Sequence, residues 1–142
     1  MDYVISVEDD PRPEDRKLIG DGLTQHALPI TGVPGFRPIA VLARDRAHAL
    51  VAGVVGTLNW NWLHVNLIWV SEPCRHTGLG TRLMNEIERI AAARGCTHAH
   101  LDTFSYQARP FYERRGYTLF GVLDNYPTGH QRFFMQKTLL VA

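Results

Sequence analysis

Val70-Ser71-Glu72-Pro73-Cys74-Arg75-His76-Thr77-Gly78-Leu79-Gly80-Thr81 joins two segments of different periodicity. Before it, Leu63 to Val70 reads as a strand. Leu63, Val65, Leu67 and Trp69 share one face, and Trp62, His64, Asn66, Ile68 and Val70 share the other. After it, Leu79 to Arg94 is helical, with Leu79, Leu83, Met84, Ile87, Ile90 and Ala91 on one stripe and Gly95 as its stop. A helix start presents unpaired N–H groups and the positive end of the macrodipole. Two glycines let an anion approach that backbone closely. Strand, glycine turn and helix therefore predict a phosphate or pyrophosphate cradle.

Two familiar cradles do not match. A P-loop needs Lys and Ser/Thr directly after its second glycine, and here Thr81 and Arg82 follow Gly80. A dinucleotide turn needs Gly or Ala three residues after its second glycine, where this chain has Leu83.

Arg75-x-x-Gly78-x-Gly80 resembles the acyl-CoA signature Q/R-x-x-G-x-G/A of the Gcn5-related N-acetyltransferase (GNAT) family. Downstream, Ala108-Arg109-Pro110-Phe111-Tyr112-Glu113-Arg114-Arg115-Gly116-Tyr117 is similar to the family's A-x-x-F/L-Y-x-x-x-G-F/Y segment. The order and separation also agree, and the resemblance runs from about Phe36 to Leu140. It implies an acetyl-CoA-dependent N-acetyltransferase, with acetyl-CoA as co-substrate and no metal. It implies direct attack by a primary amine in a ternary complex. The cofactor residues it assigns are Ile68, Trp69, Val70, Arg75, His76, Thr77, Gly78, Leu79, Gly80, Thr81, Ser105, Phe111 and Tyr112. Ser105 stands where many relatives have Asn. The Val70 backbone N–H would stabilise the oxyanion and Tyr112 would protonate the leaving thiolate. A phenol titrates near 10 and a thiol near 8.5, so that transfer is nearly balanced. His64, Glu72, Asp102 and His130 are candidate substrate contacts. The general base stays open among His64, Glu72, Asp102 and water.

The chain has 142 residues, 45% hydrophobic and 20% charged, with a formal net charge of +1. That predicts one soluble domain, 1–142, and excludes the basic excess of a nucleic-acid binder. Two cysteines and no secretory segment at the start predict a cytoplasmic protein. No apolar run approaches the roughly 20 residues that span a bilayer. Three Trp in a short chain, with the resemblance, allow a homodimer.

Tyr3 to Val7 reads as a first strand. Asp9-Asp10-Pro11 starts a helix to about Gln25, which Gly20 and Gly22 should shorten, bend or break. Ala27 to Gly35 reads as a loop, bordering the acceptor if the resemblance holds. Ile39 to Ala43 and Leu50 to Leu58 read as strands, with a bulge or twist at Gly53 and Gly56. Asn59-Trp60-Asn61 turns the chain. Thr97 to Thr103 is a strand, followed by the Tyr112 helix, a strand Tyr117 to Leu123, turns from Asp124 to Gln131, and a strand Phe133 to Leu140. The expected class is α/β (α+β): a mixed, mostly antiparallel sheet with splayed central strands and helices on both faces, the acyl-CoA N-acyltransferase fold.

Cys74 and His76 are close in sequence, and Cys96, His98 and His100 alternate as on one strand face. Their spacing is not that of a zinc site, so no metal is expected. A non-catalytic acyl-CoA-binding or sensing module would share the cradle without needing Tyr112 chemistry. The acceptor stays open between small-molecule and peptide amines.

Overall fold

The computed structural model describes residues 2–139. The chain divides between Pro34 and Gly35 into two compact units.

In the first unit residues 2–8 have no regular structure, and Tyr3, Val4, Ile5 and Val7 are exposed. The expected first strand is absent: β propensity alone does not make a strand without a ladder partner. Helix α1, Pro13–Thr31, runs unbroken through Gly20, Gly22 and Pro29. Pro13 opens it, and ion pairs Arg12–Asp15 and Lys17–Asp21 staple its first turns. Glycine lowers helix propensity without forbidding helical dihedrals. Pro29 removes one N–H bond and crowds the carbonyl four residues before it, but it lies in the last turn, where little helix follows. The expected end near Gln25, the bend or break at Gly20 and Gly22, and the loop from Ala27 are thus corrected: the helix stops at Gly32, whose φ is +70°.

The second unit is a six-stranded sheet, order β1-β2-β3-β4-β6-β5. Its strands are β1 (Arg37–Arg44), β2 (Leu50–Asn59), β3 (Trp62–Val70), β4 (His98–Phe104), β5 (Thr118–Asp124) and β6 (Gln131–Thr138). The last lies within the expected Phe133–Leu140 strand except at its start; Leu140 is outside the described residues. Helices α2 (Leu79–Ala93) and α3 (Arg109–Arg114) complete it. Neighbouring strands are antiparallel except β3 and β4, which α2 joins as a crossover. This is the mixed α/β sheet expected. Leu83, Met84, Ile87 and Ala91 of α2 bury the apolar stripe in a core with Val54, Leu58, Leu63, Val65 and Leu101.

The parallel pairing of β3 with β4 covers only Trp62↔His98, Leu63↔Ala99 and His64↔His100. Beyond these residues the two strands part. A second irregularity acts on β3 itself. Val55 pairs with Leu67 but Gly56 pairs with Val65, so Asn66 is an extra, bulged residue. Gly56 is required there, because a Cβ would lie 2.8 Å from the His64 carbonyl oxygen. The bulge expected at this glycine thus has its extra residue on the partner strand. It also corrects the face assignment of β3. Past Asn66 the alternation reverses: Ile68 and Val70 pack against the core, while Leu67 and Trp69 are exposed.

Glu88 of α2, 8% exposed, gathers Lys137 Nζ (2.6 Å), Arg115 Nη2 (3.0 Å) and the Tyr117 hydroxyl (3.1 Å). One buried carboxylate thereby ties α2 to the chain leaving α3 and to β6. Burial, followed by the Glu88 charge, pushes the Tyr117 phenol far above its ordinary pKa.

Candidate active site

Val70 ends β3, a short 3₁₀ turn covers Glu72–Cys74, and α2 begins at Leu79. The turn is braced by its own side chains. Arg75 Nε donates to the Val70 carbonyl (3.0 Å), and the Thr77 hydroxyl donates to the Cys74 carbonyl (2.6 Å). Gly78 caps the helix at φ +82°, a conformation costly for a side chain. The first intrahelical donor is Arg82 N–H, to Gly78 O. The amides of Leu79, Gly80 and Thr81 precede it and remain open at the positive end of the helix. A Cβ at Gly80 would make only ordinary contacts, 3.7 Å from Phe111 and 3.9 Å from Val70. The protein's own packing therefore does not demand glycine at this position. A cleft of about 440 Å³ opens there.

A second cleft, about 550 Å³, fills the space where β3 and β4 part. Ile68, Trp69, Val70, Arg75, Ala108 and Tyr112 border both clefts. Ser71 N–H donates to Val51 O (2.8 Å). Donors alternate along an antiparallel strand, so Val70 N–H points the opposite way, toward the edge that β4 has left.

Tyr112 lies in the first turn of α3, which Pro110 helps to start. Its ring packs edge-on against Phe111 (5.1 Å) and Tyr117 (5.9 Å) and is 6% exposed. Burial, and then the Asp102 charge, push its phenol up to about 12. The near-balance expected between phenol and thiol is corrected accordingly. With an unchanged thiol near 8.5, complete transfer would be uphill by about 5 kcal/mol.

Among the other expected cofactor residues, His76, Gly78, Leu79, Gly80, Thr81 and Phe111 also line the first cleft. Thr77 braces the turn and lines neither cleft. Ser105 also lines neither; its Oγ accepts from Gln131 N–H (3.0 Å). Gln107 lines the second cleft instead, its Oε1 held by Phe104 N–H and Thr103 Oγ1. Of the substrate candidates, Asp102 faces the second cleft, and its Oδ2 takes Arg132 Nε at 2.7 Å. His64 lies at the closed end of the gap, stacked on His100 (4.3 Å, 8°) and bonded to Asn66 (3.1 Å). Burial and the neighbouring His64 lower the His100 pKa, with Asp102 opposing. Glu72 and His130 are exposed and line neither cleft. Arg132 and Phe104 line the second cleft without any sequence signal; the pairing of β4 with β6 brings them there, and Asn66 lines it from its bulge in β3.

Cys96 precedes β4 and is buried in the core, whereas His98 and His100 are half-buried and pack on Trp62. The three do not share a strand face. Among the described residues no group of three or more metal-ligating side chains converges, and no helix is long and apolar enough to cross a membrane.

A parting sheet with an open helix start at one mouth and a buried tyrosine between two clefts fits an acyl-CoA-dependent N-acyltransferase. Comparison with known proteins specifies the family. The acetyltransferase (GNAT) family profile matches residues 6–117. Blasticidin-S acetyltransferase of Streptomyces morookaense is 38% identical over 117 residues, covering 80% of this chain and 86% of that protein. An acetyltransferase of Agrobacterium fabrum is 31% identical over 137 residues, covering 96% and 98%. The crystal structure of an acetyltransferase from Bacillus cereus superposes with a TM-score of 0.85 at 31% identity, covering 94% and 98%. The chain belongs to the GNAT family of acetyltransferases.

Proposed function

We propose that the chain transfers acetyl from acetyl-CoA directly to the amine of a small molecule bound between β3 and β4. The observation that carries this reading is the border common to the two clefts: Ile68, Val70 and Tyr112 face both. A thioester laid along that border would meet an amine arriving from the other side.

The open amides of Leu79, Gly80 and Thr81, at the positive end of α2, suit the diphosphate. Val70 N–H suits the oxygen of the tetrahedral intermediate. Asp102 Oδ2 is held by Arg132, and its other oxygen is available to an acceptor ammonium. The cleft is open, so water takes the ammonium proton before attack. The amine then bonds to the thioester carbon, the C–S bond breaks with its electron pair leaving on sulfur, and the proton still carried by the new amide nitrogen passes through water to the thiolate. Tyr112, kept protonated by its raised pKa, donates a hydrogen bond to that sulfur. The same desolvation raises the thiolate's proton affinity and narrows the gap to the phenol. Cys96 is buried in the core, and Cys74 lines only the first cleft, away from the second cleft assigned to the amine.

The Streptomyces relative, named for blasticidin S, supports a small-molecule antibiotic amine over a peptide. Thiol release from acetyl-CoA, with blasticidin S and a broad amine panel, tests the reading. Amine-dependent release with an acetylated amine product is expected. Tight acetyl-CoA binding without release to any amine would leave a binding module.

A further inference from the structure

At the outer end of β4, aromatic rings from three segments gather. Phe104 stacks on Tyr106 (5.3 Å, 13°) and on Tyr126 (5.9 Å, 30°), and Tyr106 meets His130 edge-on (5.1 Å). The Arg132 guanidinium lies over Phe104 (5.4 Å), Tyr126 (4.9 Å) and Phe134 (5.2 Å) while its Nε holds Asp102. We propose that this cluster is a subsite for a flat, π-bonded group on the acceptor, set so that the acceptor's amine lies at Asp102.

The position supports this. Phe104, Arg132 and Asp102 line the cleft between β3 and β4, and the tyrosines extend the same cluster outward. The rings are also preorganised. Ser105 N–H donates to Gln131 O, and Gln131 N–H returns to Ser105 Oγ, which fastens the chain after β4 to the start of β6. Tyr126 N–H donates to His130 O and His130 N–H to Pro127 O, which closes the turn between β5 and β6. Yet Tyr106 is 57% and Tyr126 46% exposed. Two rings held in place and left half-open offer stacking area at little ordering cost. The Arg132 cation already lies over Phe104 and Tyr126, so the surface left open favours a neutral π face over a second cation. The pairing of Arg132 with Asp102 links the ring subsite to the amine position.

The proposal rests on the acetyl-transfer reading, and the test separates the two. Benzylamine and cyclohexylmethylamine have similar size and are both ammonium ions at pH 7; only one is flat. Their binding to the full chain saturated with CoA is measured by calorimetry. Benzylamine is expected to bind about three- to tenfold more tightly. Tyr106→Leu and Tyr126→Leu, with melting temperature unchanged, should bring the two amines toward parity. Equal or weaker binding of benzylamine, a preference surviving both substitutions, or no binding of either amine would overturn the proposal. Thiol release is scored separately. An aromatic preference in binding without acetylation of any amine would sink the acetyl-transfer reading and leave the ring subsite standing.

Discussion

The two sides of the gap are built by different means. The first side is dominated by one contiguous stretch, Arg75 to Thr81, and it offers backbone amides at a helix end. The opposite side draws Asp102 and Phe104 from β4, Arg132 from β6 and Asn66 from a bulge in β3. Backbone contacts require particular dihedrals, and these leave glycines at set spacings. Side-chain contacts require only that strands meet in the right register, which leaves no local mark. The cradle therefore suits an invariant ligand and the other side a variable one.

The two sides differ most at Gly78. Gly78→Asp puts a Cβ at φ +82° and a negative charge before the open amides. Acetyl-CoA affinity should fall beyond calorimetric detection while the amine side keeps its ligands. Unchanged affinity would place the diphosphate elsewhere.

What unites the two sides is tested at Glu88. Glu88→Ala leaves Arg115 and Lys137 without their buried anion, at a cost of about 3 kcal/mol. Chemical denaturation should show that loss; a change below about 1 kcal/mol would make the cluster solvent-screened. The tyrosines add an alkaline limit. Tyr112 titrates near 12 in the folded chain and near 10 when unfolded, so above pH 10 the unfolded state releases protons first. Stability should fall between pH 10 and 12, with about 3 kcal/mol of that fall due to Tyr112. Tyr112→Phe should remove this share.

The boundary between the sides is Tyr112 itself. Tyr112→Phe should lower kcat at least tenfold with the KM for acetyl-CoA nearly constant. A parental kcat, with chemistry shown to limit turnover, would reduce the residue to packing. Asp102→Asn is the mildest change. It should raise the amine KM about fivefold, in line with one lost charge-assisted contact, and leave the acetyl-CoA KM alone. A shift in the acetyl-CoA KM instead would move Asp102 to the cradle side.

Reading the sequence recovered the strands and helices of the second unit within a few residues, because their hydrophobic periods agree with their final burial. It failed on β3 past Asn66, where one inserted residue reverses every side chain that follows. It failed at Tyr3 to Val7, whose β-forming residues make no ladder. It chose Ser105 where Gln107 faces the cleft, since a motif offset does not show how the turn after β4 is fastened.

The sequence by itself determined the strand, glycine turn and helix, the tyrosine helix and the family, since each depends on neighbours along the chain. Tertiary structure alone decided that β3 and β4 separate after three residue pairs, that Asp102 meets Arg132, and that the Tyr112 phenol is pushed up to about 12. Register, ion pairing across strands and desolvation arise between residues distant in sequence. They exist only once the sheet has closed around them.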